Sequence, residues 1–179
     1  MQHDLTLILG GARSGKSAFA ERDITALPAP WHYIATAQAF DNEMRDRIRH
    51  HQDRRAAGWH THEAPLDLAH RLTNLPDGEP VLVDCLTLWL TNHLLAAHDL
   101  RDQIAGLEAV LAACKAPVWL VSNEVGLGIV PENALARRFR DEAGLLNQRM
   151  AALASRVVFV AAGLPLQLKG DARAPMVDP

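Results

Sequence analysis

Eight consecutive residues near the start of the chain have the types and spacing needed to bind a row of phosphate groups. They match the pattern G-x-x-x-x-G-K-[ST]. Glycines let the backbone curl so that successive N–H groups face phosphate oxygens, and the next helix adds positive charge at its N-terminus. Lys16 is predicted to reach the outer phosphates, and Ser17 to place its hydroxyl on Mg²⁺. The predicted nucleotide-binding residues of this phosphate loop are Gly10, Gly11, Ala12, Arg13, Ser14, Gly15, Lys16 and Ser17.

An acidic residue ends an apolar run farther along the chain. The run Val81-Leu-Val-Asp84 is typical of a buried strand that ends in a carboxylate. Such a carboxylate can approach the hydration shell of a Mg²⁺ ion bound to the phosphates. We therefore expect Asp84 and Ser17 on the metal side of the site. Capping of the following helix is the alternative role for Asp84.

Residues 47–55 combine two adjacent histidines with four arginines. In a helix, Arg47, Arg54 and Arg55 lie within about one turn of His51. Neighbouring cations disfavour a protonated imidazole, which keeps it nucleophilic, and they can also hold the phosphates of a nucleotide. The pattern is compatible with attack of a histidine on phosphorus. An exposed basic helix with ordinary surface histidines is the alternative.

Short apolar runs alternate with longer helical patterns and indicate the elements that position these residues. Nearly continuous apolar runs are typical of parallel strands covered on both faces. Helical spacing predicts one helix from Glu132 to Ala154 after Pro131, and another from Asp41 to about Ala57. We therefore predict an α/β fold of the P-loop NTPase-like class, a mainly parallel sheet flanked by helices on both faces. The predicted strands are Leu5–Leu9, Tyr33–Ala35, Val81–Val83, Val118–Val121 and Val157–Val160.

Length and composition indicate one globular domain. The chain has 179 residues, 49% of them hydrophobic, and a net charge of −3 gives no broad attraction for nucleic acid. No apolar run approaches the roughly 18 residues that span a bilayer. Cys85 and Cys114 are too far apart for a CxxC pair, and no cysteine accompanies the histidines to favour a zinc site. We expect a cytoplasmic protein without a membrane span, with one domain over residues 1–169 and a polar tail over residues 170–179.

The sequence also limits the class of nucleotide-binding protein. It has no N-K-x-D motif, which regulatory GTPases use to bind guanine. Its one Tyr and four Phe do not suggest the aromatic surfaces of helicases or recombinases. An enzyme acting on a small molecule is favoured. A kinase without a covalent intermediate and a nucleotide-dependent switch remain as alternatives.

From the first strand to about Lys169, the sequence resembles the bifunctional adenosylcobinamide kinase/adenosylcobinamide-phosphate guanylyltransferases of cobalamin biosynthesis. Each shared segment is short, but the whole set in this order is specific. The segments are Gly10–Ser17, Tyr33–Ala37, Asp41–Met44, Arg47-Ile48, His51, Arg55, Trp59, Thr61, Glu63, Pro65, Ser122–Gly126, Gly128–Pro131 and Asn147-Gln148.

The resemblance implies two reactions. In the first, a nucleoside triphosphate, ATP or GTP, phosphorylates the terminal hydroxyl of adenosylcobinamide. In the second, GTP donates GMP to a histidine with release of pyrophosphate, and the GMP passes to adenosylcobinamide phosphate to give adenosylcobinamide-GDP. His51 matches that histidine, with His50 as the fallback, and Lys16 is the second catalytic residue. Mg²⁺ as cofactor and a homo-oligomer, with a trimer favoured, are also implied.

The resemblance further implies that the nucleotide site extends beyond the phosphate loop. Glu63 could accept hydrogen bonds from the guanine edge, which differs from that of adenine, although a helix cap is the alternative. Glu124 could orient substrate or metal, or bond to backbone amides of its own loop. The implied nucleotide-binding residues outside the phosphate loop are Ala35, Thr36, Ala37, Gln52, Asp53, Arg54, Arg55, Glu63 and Asp84.

Overall fold

The computed structural model describes residues 4–38 and 57–171. The predicted helix from Asp41 to about Ala57 falls almost entirely outside these ranges. Its predicted site residues therefore also lie outside the described residues; they are His50, His51, Gln52, Asp53, Arg54 and Arg55.

A single seven-stranded sheet forms the centre of the molecule. Its strand order is β3-β2-β4-β5-β1-β6-β7, and all neighbours run parallel except β7, which pairs antiparallel with β6. The prediction of a mainly parallel sheet is confirmed. The strands are β1 (Leu5–Gly10), β2 (Trp31–Ala35), β3 (Trp59–Glu63), β4 (Val81–Asp84), β5 (Val118–Asn123), β6 (Arg156–Ala161) and β7 (Leu164–Lys169).

Helices cover both faces of the sheet. On one, here called the α1 face, Ala20 and Ile24 of α1 pack against strand residues such as Ile8 and Val121. The other, here called the α5 face, packs against Leu146 and further apolar residues of the remaining helices. Both cores are built from apolar side chains at strand and helix spacing. The helices are α1 (Lys16–Ile24), α2 (Leu68–Thr73), α3 (Leu86–Leu95), α4 (Leu100–Ala113) and α5 (Ala134–Leu153).

All five predicted strands are present, whereas β3 and β7 were not predicted. The long predicted helix is confirmed as α5, but it begins at Ala134 rather than at Glu132. The later start follows from Asn133, whose side chain accepts hydrogen bonds from the backbone N–H groups of Leu135 and Ala136 at 2.8 and 3.1 Å. An asparagine in this position satisfies the free amides of the first turn.

The end of α1 distant from the phosphate loop is fixed to the sheet by a buried carboxylate. Asp23 Oδ2 accepts hydrogen bonds from Trp119 Nε1 at 2.7 Å and from Arg156 Nη1 at 2.6 Å. Trp119 belongs to β5 and Arg156 to β6, so one carboxylate joins α1 to two strands. The end of α1 distant from the phosphate loop is thereby anchored to the sheet.

Among the helices of the described ranges, none combines the length and the apolar character that a membrane crossing requires.

Candidate active site

The phosphate loop is already curled in this structure. It leaves β1 at Gly10 and enters α1 at Lys16, and Gly15 has a φ of 95°, which favours glycine. Lys16 is buried, and its ammonium donates a hydrogen bond to the Gly11 carbonyl oxygen at 3.0 Å. Ala12 and Arg13 are exposed at the crown of the loop, and Ser17 is half-buried. The loop therefore has a backbone conformation that can bind phosphates.

A turn at the far side of β6 supports the same loop. The backbone N–H of Gly163, between β6 and β7, donates a hydrogen bond to the Ser14 carbonyl oxygen at 2.8 Å. A Cβ atom at Gly10 would lie 2.5 Å from both Ser14 Oγ and the Val160 carbonyl oxygen, so glycine is required there. The β6–β7 hairpin, which the sequence did not predict, thus helps to shape the predicted site.

Three predicted site residues lie in one row at the carboxyl ends of the strands. Ala35 pairs with Glu63 on one side and with Asp84 on the other. Since side chains alternate along a strand, and Tyr33, Trp59 and Leu82 contribute to the core on the α1 face, all three row residues point to that face. Four inter-strand steps separate β3 from β1, about 19 Å in all. The row thus runs from Glu63 in β3 to Asp84 in β4, which is two strands from the strand of the phosphate loop.

The alternative roles considered for the two acidic residues of the row are wrong. Glu63 is the last residue of β3 rather than a helix cap. At the start of α3, Cys85 occupies the N-cap position, and no side-chain hydrogen bond caps the helix. The Asp84 carboxylate is therefore not used as a cap.

The Lys16 ammonium acts electrostatically on the end of β4. Burial, together with the adjacent Asp84 carboxylate, raises the pKa of the Cys85 thiol to about 12, and the Lys16 ammonium opposes this shift. Cys85 is thus a neutral thiol and a poor nucleophile at neutral pH. The effect of Lys16 on the pKa of Cys85 means that its charge acts on the end of β4, although β5 lies between β1 and β4.

The oxygen donors at this edge suit Mg²⁺. Asp84 offers a carboxylate and Ser17 a hydroxyl, and Mg²⁺ is typically bound by one or two such protein groups together with substrate phosphates. Within residues 4–38 and 57–171, no group of three or more His, Cys, Asp or Glu side chains could enclose a metal ion. The residues present therefore fit an ion shared with a nucleotide.

Thr36 joins the ends of β2 and β4. Its hydroxyl donates to the Cys85 carbonyl oxygen at 2.7 Å and accepts from the Cys85 N–H at 2.8 Å. Its own carbonyl oxygen accepts from Asn92 Nδ2 at 2.8 Å. The side chain is fully buried, so the predicted nucleotide contact of this segment falls to the half-buried Ala35 and Ala37 and to the backbone. That contact remains a prediction.

A buried network of uncharged side chains holds the carboxyl end of β5. Ser122 Oγ donates to Asn147 Oδ1 at 2.7 Å, and Asn147 Nδ2 donates to the Asn123 carbonyl oxygen at 3.1 Å. The N–H of Asn123 in turn donates to Thr87 Oγ1 at 2.7 Å. Sequence reasoning gave no role to Thr87 and did not connect Asn147 with this strand. Its only signal was the occurrence of Asn147 and the Ser122 segment in the family resemblance.

The loop after β5 is held by its own residues and by the phosphate loop. Glu124 Oε1 accepts a hydrogen bond from the Gly126 N–H at 2.5 Å, as in one of the two roles considered for this residue. The Glu124 N–H donates to the Gly10 carbonyl oxygen at 3.0 Å. Arg137 donates to the carbonyl oxygens of Pro131, at 3.0 Å, and Glu132. The Glu124 side chain therefore holds the backbone of the loop after β5, and its backbone N–H connects that loop to the phosphate loop.

Comparison with known proteins identifies the family. Residues 6–168 match the family model described as cobinamide kinase/cobinamide phosphate guanyltransferase. The chain is 51% identical to the bifunctional adenosylcobalamin biosynthesis protein CobP of Pseudomonas aeruginosa, over 92% of this chain and 97% of that protein. It is 43% identical to the bifunctional adenosylcobalamin biosynthesis protein CobU of Salmonella typhimurium and 39% identical to that of Escherichia coli, each over 92% of this chain and 99% of the relative.

Two solved structures resemble the fold at low sequence identity. A protein of Pyrococcus horikoshii aligns with a TM-score of 0.54 and 8% identity, over 98% of this chain and 94% of that one. An ATPase of a bacterial type III secretion system aligns with a TM-score of 0.50 and 11% identity, over 92% of this chain and 57% of that one. These two likenesses concern the fold alone. The family match and the three relatives give the stronger result: this chain belongs to the cobinamide kinase/cobinamide phosphate guanyltransferase family and is a bifunctional enzyme of adenosylcobalamin biosynthesis.

Proposed function

We propose that both reactions of this enzyme take place along the carboxyl edge of the sheet on the α1 face, with His51 as the covalent carrier of GMP. One observation carries this proposal: the curled phosphate loop with Lys16 and the row from Glu63 to Asp84 lie at the same edge of the sheet, with the loop two strands beyond Asp84. In open α/β sheets, ligands bind at the carboxyl ends of the strands. A nucleotide lying along this row has its phosphates at β1 and its base toward β3.

In the kinase reaction, the phosphate loop and Lys16 bind the outer phosphates of ATP or GTP. The backbone N–H groups and the ammonium neutralise charge as the nucleoside diphosphate leaves. Ser17 and Asp84 are the residues that would hold Mg²⁺, which supplies further charge neutralisation when bound. The acceptor is the terminal hydroxyl of adenosylcobinamide.

In the guanylyltransferase reaction, the same loop holds the part of GTP that becomes pyrophosphate. His51 attacks the α-phosphorus, the bond to the bridging oxygen breaks, and pyrophosphate leaves with that electron pair. A phosphate oxygen of adenosylcobinamide phosphate then displaces His51 to give adenosylcobinamide-GDP. The covalent intermediate allows each bulky anion to occupy the site in turn.

Selection of the guanine base is assigned to Glu63. Guanine presents an N1–H and a 2-amino group, whereas adenine has no donor at either position, so a carboxylate discriminates between the two bases. Ala35–Ala37 and residues 52–55 complete the proposed nucleotide site. Glu63 supports this assignment because it lies on the α1 face at the end of the row, in β3.

Labelling with GTP tests the covalent intermediate. The purified protein is incubated with Mg²⁺ and GTP labelled at the α-phosphate, in parallel with His51→Ala and His50→Ala. We expect protein-bound label that is labile in acid and stable in base, as for a phosphoramidate, in the wild type and in His50→Ala. In His51→Ala, label should fall to background.

The kinase assay provides the matched control for this experiment. His51→Ala should still phosphorylate adenosylcobinamide, because that reaction needs no covalent nucleotide. Label that persists in His51→Ala and disappears in His50→Ala would move the nucleophile to the neighbouring histidine. Absence of label in the wild type, with adenosylcobinamide phosphate added and its product assayed, would overturn the covalent route.

The homo-oligomer, with a trimer favoured, is also retained as a proposal. It is supported by exposed leucines along one side of β7, which are Leu164, Leu166 and Leu168. The molar mass in solution, measured by light scattering, checks it: the mass of one 19.6 kDa chain would contradict it.

A further inference from the structure

β5 occupies a special place in the sheet because it lies between the strand of the phosphate loop and the strand of Asp84. Its last residue is Asn123, and the Cα atom of Asn123 pairs with that of Gly10, the first residue of the loop. Asn123 is therefore one strand away from the loop and one strand away from β4. None of the nucleotide-binding residues predicted from the sequence comes from β5.

The two sides of Asn123 differ in their hydrogen bonding. Its backbone is fixed by Thr87 and Asn147, at 2.7 and 3.1 Å. Its side-chain amide forms no hydrogen bond to any other residue of the described ranges. Val121 packs in the core on the α1 face, whereas Ser122 bonds to Asn147 on the α5 face. Alternation therefore directs the Asn123 side chain to the face that carries the phosphate loop.

The charges around Asn123 indicate what its amide faces. Lys16 comes from the loop after β1, and its ammonium influences Cys85 at the end of β4. Because β5 lies between β1 and β4, its carboxyl end lies between Lys16 and the Asp84–Cys85 segment. A terminal phosphate bound between Lys16 and Asp84 would thus lie above Asn123. An amide can donate two hydrogen bonds there without adding a charge.

We propose that the side-chain amide of Asn123 is a catalytic group of the kinase reaction and donates a hydrogen bond to the γ-phosphoryl group during its transfer. The acceptor hydroxyl oxygen bonds to the γ-phosphorus as the bond to the β–γ bridging oxygen breaks. The nucleoside diphosphate leaves with that electron pair, and the hydroxyl proton is released to water. Asn123 takes no proton: its N–H bond to a γ-oxygen strengthens as charge redistributes over that group.

The two reactions of the enzyme should depend on this amide to different degrees. In the kinase reaction, the γ-phosphorus itself reacts. In the guanylyltransferase reaction, the reacting atom is the α-phosphorus, and the γ-phosphate belongs to the leaving pyrophosphate. A donor at the γ-position therefore contributes to the transition state of the first reaction, whereas in the second it contacts a group that does not react.

Three variants of the full-length chain test the proposal, which rests on the site proposed for the nucleotide. Asn123→Ala removes the amide, and Asn123→Asp keeps its shape but replaces the donors with a negative charge. Asn74→Ala is the matched control, because Asn74 lies at the C-terminal end of α2 and its side chain bonds only locally, to the His70 carbonyl oxygen at 2.7 Å. The readouts are transfer of γ-phosphate from labelled ATP or GTP to adenosylcobinamide, and incorporation of labelled GMP into the protein.

For Asn123→Ala, we expect the kinase kcat to fall about 100-fold, the size seen when one oxyanion donor is removed. KM for the nucleotide and the rate of GMP incorporation should each change no more than about threefold, and Asn123→Asp should be slower than Asn123→Ala because its charge repels the phosphate. Asn74→Ala should match the wild type, and the thermal midpoints should show that all three variants fold.

Three outcomes would overturn the proposal. The first is a kinase kcat in Asn123→Ala within about threefold of the wild type. The second is an equal fall in both reactions, which is the result of a merely structural role. The third is an Asn123→Asp variant that is faster than Asn123→Ala, since the amide would then act as an acceptor. The kinase comparison does not require His51, so failure of the guanylyl-histidine proposal would leave this test intact.

Discussion

A buried polar cluster lies at each end of β5, and the two clusters differ in charge and in the face of the sheet that they occupy. At the carboxyl end, Ser122, Asn147 and Thr87 form an uncharged network on the α5 face. At the amino end, Trp119 and Arg156 bond to the Asp23 carboxylate on the α1 face. One strand thus carries a neutral network beside the predicted phosphate site and an ion pair at the opposite end.

The difference shows how polar groups can be buried near a charged substrate. A buried carboxylate next to bound phosphates would repel them unless a cation lies between, and a buried arginine would pair with them in place of its structural partner. Amide and hydroxyl groups fix the backbone through hydrogen bonds without either effect. The ion pair lies where no phosphate is expected, and there it anchors the C-terminal end of α1 to the sheet. We infer that the amino-end cluster contributes stability, whereas the carboxyl-end network contributes both stability and activity.

The largest effect on stability is expected from breaking the ion pair. The side chains of Asp23 and Arg156 are only 13% and 10% exposed, so Asp23→Ala leaves an arginine buried without its partner. Loss of one partner of a buried pair costs about 3–5 kcal/mol. Urea unfolding should show this loss, whereas kcat of the folded variant for both reactions should stay within about twofold of the wild type, since no transition-state contact is removed.

An exposed ion pair provides the control for that experiment. Lys115 donates to Asp77 Oδ2 at 2.7 Å, but the two side chains are 66% and 71% exposed. Asp77→Ala should not measurably change the unfolding free energy, because solvent screens the pair. If Asp23→Ala and Asp77→Ala unfold at the same urea concentration, the buried Asp23–Arg156 pair does not stabilise the fold more than the exposed Asp77–Lys115 pair.

A smaller loss of stability, together with a loss of activity, is expected from the neutral network. Asn147→Leu removes the acceptor for Ser122, which keeps only its 3.3 Å contact with Thr87 Oγ1, and it removes the side-chain donor for the Asn123 carbonyl oxygen. The expected cost is about 1–3 kcal/mol. Both reactions should also slow by about 10-fold, because the carboxyl end of β5 is no longer held beside the phosphate loop.

The activity of Asn147→Leu separates the two clusters. Unfolding free energy and both reaction rates are measured on the same preparation as for Asp23→Ala. Full activity in the folded Asn147→Leu variant would contradict the assignment of a positioning role to the network. Equal losses in the two reactions would also distinguish this variant from Asn123→Ala, for which the kinase reaction alone should fall strongly.

The central strands could be predicted from the sequence because strands that are buried on both faces are apolar along nearly their whole length. Runs such as Val118–Val121 are apolar throughout, and the phosphate loop has a specific spacing after one of them. β3 is not an apolar run, since Trp59–Glu63 contains two histidines and a glutamate. Among the described strands it pairs only with β2. β7 is not an apolar run either, and its leucines are exposed at the edge of the sheet.

The support of the site could not be predicted for a different reason. Asn147 lies 25 residues from Ser122 along the chain, and Thr87 lies 36 residues before Asn123. Nothing in one sequence pairs such residues, and Ser, Thr and Asn are common in loops and helices of every class. Asp84 was predicted because it ends an apolar run, and Glu63 because it matches the family resemblance, whereas these partners are defined only by the fold.

A third polar cluster, built from histidines, shows at which pH the two clusters of β5 should be compared. His32 Nδ1 lies 2.9 Å from His62 Nε2, and His32 Nε2 lies 2.5 Å from Glu79 Oε2. Burial lowers the pKa of His62, and His32, Arg71 and His60 lower it further. Burial also lowers the pKa of His93. Protonation of His62 and of His93 is therefore linked to unfolding.

The smallest expected effect is a decrease in stability of the wild type on acidification. Because the pKa of folded His62 is lower than the unfolded value of about 6.5, the unfolded chain binds more protons just below that pH. The unfolding free energy should therefore be constant above about pH 7.5 and fall as the pH is lowered through about 6.5. Urea unfolding at pH 8 and at pH 5.5 measures this, and His62→Gln should show a smaller difference between the two. If His62→Gln shows the full wild-type difference, other groups cause the decrease. Asp23→Ala and Asn147→Leu are thus best compared at pH 8, where neither histidine contributes a proton-linked loss.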